Sequence, residues 1–213
     1  MAATGELFRH IAVSTARAAA GFALGGAIGF AFGLLTGVSD TAARVFASSF
    51  QMIRNVPHLA LIPLFILWFG IDERAKLYLV ALGVFFPIYL NTYHGARTVD
   101  AGLIEVGRVY GLTRAELFRQ VIFPGALPSI LVGVRFALGL TWLTLIVAET
   151  ISASSGIGYM TMNAREFLQT DVVVLGILIY ALLGKLADLA TVFLERRCLS
   201  WHPAFAMQGV ETR

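Results

Sequence analysis

Residues Glu105–Pro128 read EVGRVYGLTRAELFRQVIFPGALP, the longest polar interruption in an otherwise apolar chain. Hydrophobic runs flank it on both sides, which makes it a soluble elbow between membrane helices. Its own pattern is helical twice over. Glu105 to Gly111 is an amphipathic turn and a half that stops at a glycine, the residue that most readily ends a helix. Thr113 and Glu116 have the spacing of a capping box, which predicts a second helix over 114–122. On it Leu117, Phe118, Val121 and Ile122 form an apolar stripe, while Arg114, Glu116, Arg119 and Gln120 are polar. Pro124 is expected to terminate this helix, because the residue before a proline avoids the helical region, and Pro128 to open the next span. Such an elbow either packs only on its own bundle or offers Glu105, Tyr110 and the stripe to a partner's groove. Spacing alone leaves both open.

Composition agrees with the flanks. Of 213 residues 58% are hydrophobic and 14% charged, with a mean hydropathy of +0.78. Soluble domains run nearer 45–50% apolar and about 25% charged. A pI near 9.3 and a net charge of +3 invite a nucleic-acid reading. In a membrane protein arginine bias toward the cytoplasmic side explains both, and no nucleic acid is expected. The single cysteine, Cys198, excludes an internal disulfide. The first apolar run is too long for a signal peptide and ends in no small-residue cleavage site.

The chain reads as an all-α integral membrane protein, one transmembrane domain over 1–213. Five spans are expected, at 18–38, 56–70, 77–93, 129–149 and 172–194, joined by the elbow (97–128) and an outer loop (150–171). The second is short, and the mildly apolar stretch 45–53 extends it at an angle. The elbow carries Arg97, Arg108, Arg114 and Arg119, and the tail begins Glu195-Arg196-Arg197, whereas the outer loop has only Arg165. Elbow and C-terminus are therefore cytoplasmic. Counting back puts the N-terminus outside and leaves Arg9 and Arg17 on the disfavoured side, the expectation being that a further span precedes the first.

In the first span Gly21, Gly25, Gly29, Gly33 and Gly37 recur every fourth residue. Such a ridge lets another helix approach closely, either within one protomer or between subunits. Because four residues overshoot a turn, a crossed neighbour is expected. Pro63 and Pro87 fall inside the second and third spans, where each is expected to bend a helix that lines a cavity. Pro57 is placed in the first turn of the second span. Lys185 and Asp188, three apart, share a face and neutralise each other, or Lys185 lines an anion path. Arg135 snorkels toward the cytoplasm, and Glu149 is placed at the outer surface. Tyr159, Met162, Arg165 and Glu166 mark a short outer amphipathic helix, a lid or a connector. On the fourth span Thr141 and Thr144 share a face and either hydrogen-bond a passing anion or bond their own backbone.

Enzyme chemistry finds no footing. There is no G-x-x-x-x-G-K-[ST] phosphate loop, no H-E-x-x-H and no G-x-S-x-G, and His10, His58, His94 and His202 lie at no metal-ligand spacing. No catalytic residue, metal or cofactor is expected in this chain.

The elbow's spacing of Glu105-Val106-Gly107, then Gly111, then Val121-Ile122-Phe123-Pro124 resembles the E-A-A…G…I-x-L-P signature of ABC-importer permeases. Val106 and Gly107 replace two alanines, and Val121 and Phe123 replace Ile and Leu, all without a change of register. RNVPHLALIPLFILWFGID (Arg54–Asp72), VGVRFALGLTWLTLIVAETISASSGIGYM (Val132–Met160), NAREFLQTDVVV and YALLGKLAD extend the resemblance over about residues 10–205, to the nitrate/sulfonate/taurine branch. The resemblance implies a type I-like importer permease of the bacterial inner membrane, usually with six spans. It implies a homodimeric pore, cytoplasmic ABC ATPase subunits that bind the ATP, and a periplasmic or extracellular solute-binding protein. Aliphatic sulfonates are the expected substrate, with taurine or nitrate as alternatives and a non-transporting scaffold as a different class. It assigns coupling to Glu105, Gly107, Gly111, Leu117, Phe118 and Pro124. Pro63, Pro87, Thr141 and Thr144 are the expected path.

Overall fold

The computed structural model describes residues 5–201; His202 lies outside them. Every regular element among the described residues is a helix: α1 (Glu6–Val38), α2 (Asp40–Arg54), a 3₁₀ turn (His58–Leu61) leading into α3 (Ile62–Phe69), α4 (Glu73–Arg97), α5 (Ala101–Val109), α6 (Arg114–Leu117), a π turn (Phe118–Ile122) leading into α7 (Phe123–Ser152), α8 (Ile157–Glu166) and α9 (Thr170–Cys198). Four stretches are long and apolar enough to cross a membrane: α1, α4, the run Arg114–Ile151 and α9. Ser48–Arg54 and His58–Phe69, bent by 80°, make a broken fifth.

The centre of the bundle is α4. Its Val80, Val84 and Ile88 pack with Ala18 of α1 and with Ala137 and Leu145 of α7. The glycine ridge meets α4 inside the same chain. A Cβ on Gly29 would lie 2.6 Å from the Phe85 carbonyl oxygen, one on Gly33 2.8 Å from that of Tyr89, and one on Gly37 2.7 Å from Ala96 Cβ. The partner runs in the same direction, and its contact row (Ala81, Phe85, Tyr89, Tyr93) also advances by four, so each glycine of the ridge meets the next turn of α4.

The second span departs from expectation at Pro63. Rather than bending a helix interior, Pro63 is the second residue of the short α3 and is exposed, so its missing N–H costs little. The bend comes earlier, where Asn55–Pro57 separates α2 from the 3₁₀ turn. Phe46 and Phe50 of α2 hold the angle, with Phe32 of α1 and Phe85 of α4, ring centroids 5.3–6.4 Å apart. Pro87 does lie inside its helix, but it is buried. There α7 touches α4: a Cβ on Gly133 would lie 3.0 Å from the Pro87 carbonyl oxygen.

Candidate coupling elbow and membrane path

The elbow folds as two helices around Gly111. α5 is capped by Asp100, whose side chain accepts from the Gly102 amide at 2.7 Å. It is stopped by Gly111, which adopts φ 79°, left-handed backbone that only glycine takes without strain. Thr113 and Glu116 then form the full capping box: the Thr113 amide donates to Glu116 Oε2 at 2.8 Å and the Glu116 amide to Thr113 Oγ1 at 3.4 Å. The Thr113 hydroxyl and amide hold the Glu116 carboxyl below the usual carboxylate range.

Two expectations about this hairpin are corrected. Pro124 does not terminate the second helix, which continues through residue 151. The π turn at Phe118–Ile122 lies immediately before α7, and a widened turn of this kind accommodates the amide that Pro124 lacks. Pro124 therefore sits in the first turn of α7 and Pro128 inside it. Nor is the apolar stripe the exposed face. Leu117 is buried, and its Cδ1 occupies the space a Cβ on Gly107 would need, 2.7 Å away. Phe118 packs on Phe123, centroids 6.1 Å apart. What the elbow presents is the opposite surface of α5: Leu103, Glu105, Val106, Val109 and Tyr110. Beside it lies a groove of about 440 Å³ lined by Leu103, Val106, Tyr110, Gln120, Pro124 and Trp201. Arg97, at the start of the elbow, pairs with Asp40 at 2.7 Å, tying this face to the α1–α2 corner.

The expected path residues are not gathered around one cavity. Pro63 is exposed and Pro87 buried. Thr141 donates to the Ala137 carbonyl of its own helix at 2.8 Å. Thr144 instead meets His58 Nε2 at 3.0 Å, a contact that joins α7 to the break in the second span. A cleft of about 620 Å³ between α1, α2, α3 and α4 is apolar, lined by Leu24, Ile28, Phe50, Phe65, Trp68 and Phe86 among others.

The feature that sequence reading missed is a charged cluster at the outer ends of the helices. Arg17 of α1 is 7% exposed. Its Nε and Nη2 donate to Glu73 of α4 at 2.5 Å, and its Nη1 to Glu149 of α7 at 2.8 Å and to the Ser155 carbonyl at 2.5 Å. Glu149 is not at the outer surface as expected but 1% exposed. It also accepts from Ser14 Oγ (2.8 Å), Tyr180 OH (3.1 Å) and the Gly158 amide (2.9 Å). The Ile157 amide donates to Ser14 Oγ at 2.9 Å. A carboxylate from α7 thus caps the first turn of α8, where the helix dipole favours negative charge. Lys76, buried and 3.3 Å from Glu73, balances the charge: two cations, two carboxylates. Arg17 looked misplaced because loop-charge counting treats every arginine as solvated, whereas a neutralised, buried one carries no topological preference. The available signal was its opposite sign to Glu149 at the same membrane face.

Other pairs follow the sequence. Lys185 and Asp188 pair at 3.3 Å, and Arg135 joins Asp188 at 2.8 Å rather than reaching alone for the interface. α8 lies where the outer amphipathic helix was expected, with Ile157, Gly158, Met160 and Ala164 buried.

Comparison with known proteins places this architecture. Residues 21–200 match the family model described as the binding-protein-dependent transport system inner membrane component. The chain is similar to the putative aliphatic sulfonates transport permease protein of Escherichia coli (strain K12), 64% identical over 208 residues, covering 98% of this chain and 79% of the relative. It is similar to the protein of the same description in Bacillus subtilis (strain 168), 50% identical over 95% of this chain and 73% of the relative. It is 38% identical to the taurine transport system permease protein of Escherichia coli (strain K12), over 92% of this chain and 71% of the relative. With its helical bundle, its four membrane-length stretches and broken fifth, and a family match over most of its length, the chain belongs to the inner-membrane permease components of binding-protein-dependent ABC transport systems.

Proposed function

We propose that this permease is the pore subunit of an ATP-driven importer of aliphatic sulfonates. It works as a homodimer with two cytoplasmic ATPase subunits, which bind and hydrolyse the ATP, and with an external solute-binding protein that delivers the anion. The observation that carries the substrate class is the 64% identity to a relative described as a sulfonate permease, against 38% for one described as a taurine permease.

The elbow supplies the coupling. Glu105, Val106, Val109 and Tyr110 are exposed on α5 beside an open groove, a surface suited to a partner's helix or cleft. Gly107 and Leu117 brace α5 against α6 from behind. Because α6, the π turn and α7 form one helical run over Arg114–Ile151, a displacement of the elbow is delivered along α7 to the outer face. Closure of the ATPase dimer would draw two such elbows together and rock the two bundles about the midplane, the alternating-access motion.

Reconstitution with the ATPase and the binding protein tests this. ATP-dependent uptake of a short alkanesulfonate, preferred over taurine and nitrate, is the expected result. Uptake confined to taurine or nitrate would reassign the substrate, and no ATP-dependent uptake of any of them, with the complex assembled, would leave a scaffold. Within the complex, Gly111→Val is expected to abolish uptake while membrane insertion is unchanged. No atom crowds this position, so the effect comes from forcing a β-branched residue into left-handed backbone, roughly 1–3 kcal/mol of strain on the hairpin.

A further inference from the structure

Arg54 ends α2 at the break of the second span, and counting loop charges would leave it in the cytoplasm. The packing of α2 puts it elsewhere. Asp40, the first residue of α2, pairs with Arg97, the last of α4. Phe50, further along, meets Phe85 and Tyr89 of α4, with ring centroids 5.4 and 4.9 Å away. His58, just past the break, reaches the level of Gly83, where an added Cβ would lie 3.3 Å from its ring. Arg54 falls between Phe50 and His58, and so stands opposite the middle of the 25-residue α4. From there either end of α4 is about 18 Å away at the helical rise per residue. That depth is near the centre of a hydrocarbon core about 30 Å thick, beyond what snorkelling relieves.

Arg54 is exposed there, and among the described residues no carboxylate pairs with it. Asp40 is held by Arg97 at the far end of α2, and Asp72 caps α4 beyond α3. A charge at this depth is stable only where it faces protein or a wet cavity rather than lipid. The backbone says the same. Asn55, Val56 and Pro57 interrupt the helix and are exposed as well, and irregular backbone at membrane depth is tolerated only against protein or water. The helix itself is two-faced. Phe46 and Phe50 pack inward, and Ile53 borders the apolar cleft. On the other side Arg44, Ser48, Gln51 and Asn55 fall within about 60° of one another at 3.6 residues per turn. All four are exposed, and Arg54 stands at the edge of this polar stripe.

We propose that this stripe lines the translocation path and that Arg54 selects for a negative charge at its midpoint, the head of an alkanesulfonate on the reading above, on which this assignment rests. The planar guanidinium presents N–H groups to the sulfonate oxygens, geometry suited to an oxyanion. Gln51 and Asn55 beside it add neutral amide donors. No carboxylate of this chain has to be displaced first, and a single exposed cation attracts the anion without enclosing it, as a carrier fed by a binding protein requires. Thr144, expected on the path, meets the same break through His58 at 3.0 Å.

A carboxylate from a second copy would also satisfy Arg54, so the test separates a wet path from a buried pair. The complete complex, with ATPase and binding protein, is reconstituted in proteoliposomes. Uptake of ethanesulfonate is measured together with binding-protein-stimulated ATP hydrolysis. Arg54→Gln is expected to lower uptake at least tenfold while stimulated hydrolysis stays within twofold, and Arg54→Lys to recover part of the uptake. Arg54→Cys in a Cys198→Ser background is expected to react with a membrane-impermeant cationic methanethiosulfonate and to regain uptake with the attached ammonium. The neutral methyl reagent should restore none, and ethanesulfonate should slow the reaction. Full uptake by Arg54→Gln overturns the assignment. So does a cysteine that the impermeant reagent reaches from neither side, or a loss of hydrolysis equal to the loss of uptake, which gives Arg54 to a structural pair between copies. Failure of the wild type to carry any sulfonate is read first and removes the functional reading itself; reactivity of the cysteine then still decides whether residue 54 faces a wet path.

Discussion

Glu149 accepts from four different partners, Arg17, Ser14, Tyr180 and the Gly158 amide, contributed by α1, α9 and α8. Breaking a buried pair by removing one member leaves an uncompensated charge, which typically costs about 3–5 kcal/mol. Glu149→Ala is therefore expected to lower the thermal midpoint of the detergent-solubilised protein and to free α8. The double change Arg17→Met with Glu149→Met should recover a good part of that loss, because no charge is then stranded; thermal unfolding of the wild type and the two variants checks it. The exposed Glu116 gives a milder, pH-dependent case. Its carboxyl is held low by Thr113, so the capping box is intact above the ordinary carboxylate range and weakens as pH falls through the lowered folded value. A spin label at Ala115 should gain mobility across that fall, and Glu116→Gln should remove the step.

At the scale of elements, α1 and α4 depend on five glycines that let backbones touch. A side chain on Gly29 must displace the Phe85 carbonyl rather than a movable side chain. Gly29→Leu is expected to destabilise the pair by about 1–3 kcal/mol, the usual cost of overpacking. Gly139→Ala, which meets nothing within 4 Å, should not lower the melting temperature. α6, the π turn and α7 form one helical run over Arg114–Ile151. The broken second span is its counterpart: after the 80° bend, the His58–Thr144 contact and the cluster of Ile62 with Leu79 and Ala148 hold α3 and the turn before it to α4 and α7.

Over the whole molecule, the orientation follows from where charge is solvated. Arg97, Arg108, Arg114 and Arg119 gather at one face with the C-terminal Arg196 and Arg197, while Arg17 is neutralised at the other. Cys198, the chain's only cysteine and exposed at the end of α9, reports on this directly. A membrane-impermeant maleimide is expected to label it in inverted vesicles and not in intact spheroplasts; the reverse labelling would invert the topology.

The helical class, the apolar spans, the elbow with its capping box and Gly111 turn, the Lys185–Asp188 pair and the outer helix were all legible in the chain. Each rests on spacing within a single segment, where period and local hydrogen bonding suffice. What a helix faces is not local. Leu117 turns inward because α5 packs behind it and Phe118 because it meets Phe123, Pro124 is absorbed by a π turn, Pro63 falls at a helix start, and the glycine ridge finds α4 because both rows step by four. Arg17, Glu73 and Glu149 stand far apart in sequence, so their individual cost in a membrane was readable but their mutual neutralisation was not. Sequence by itself determined the helices, their order and the family. Only the tertiary structure decided which charges are buried and cancel, as Arg17 and Glu149 do, because that depends on burial, and burial is a property of the packed bundle.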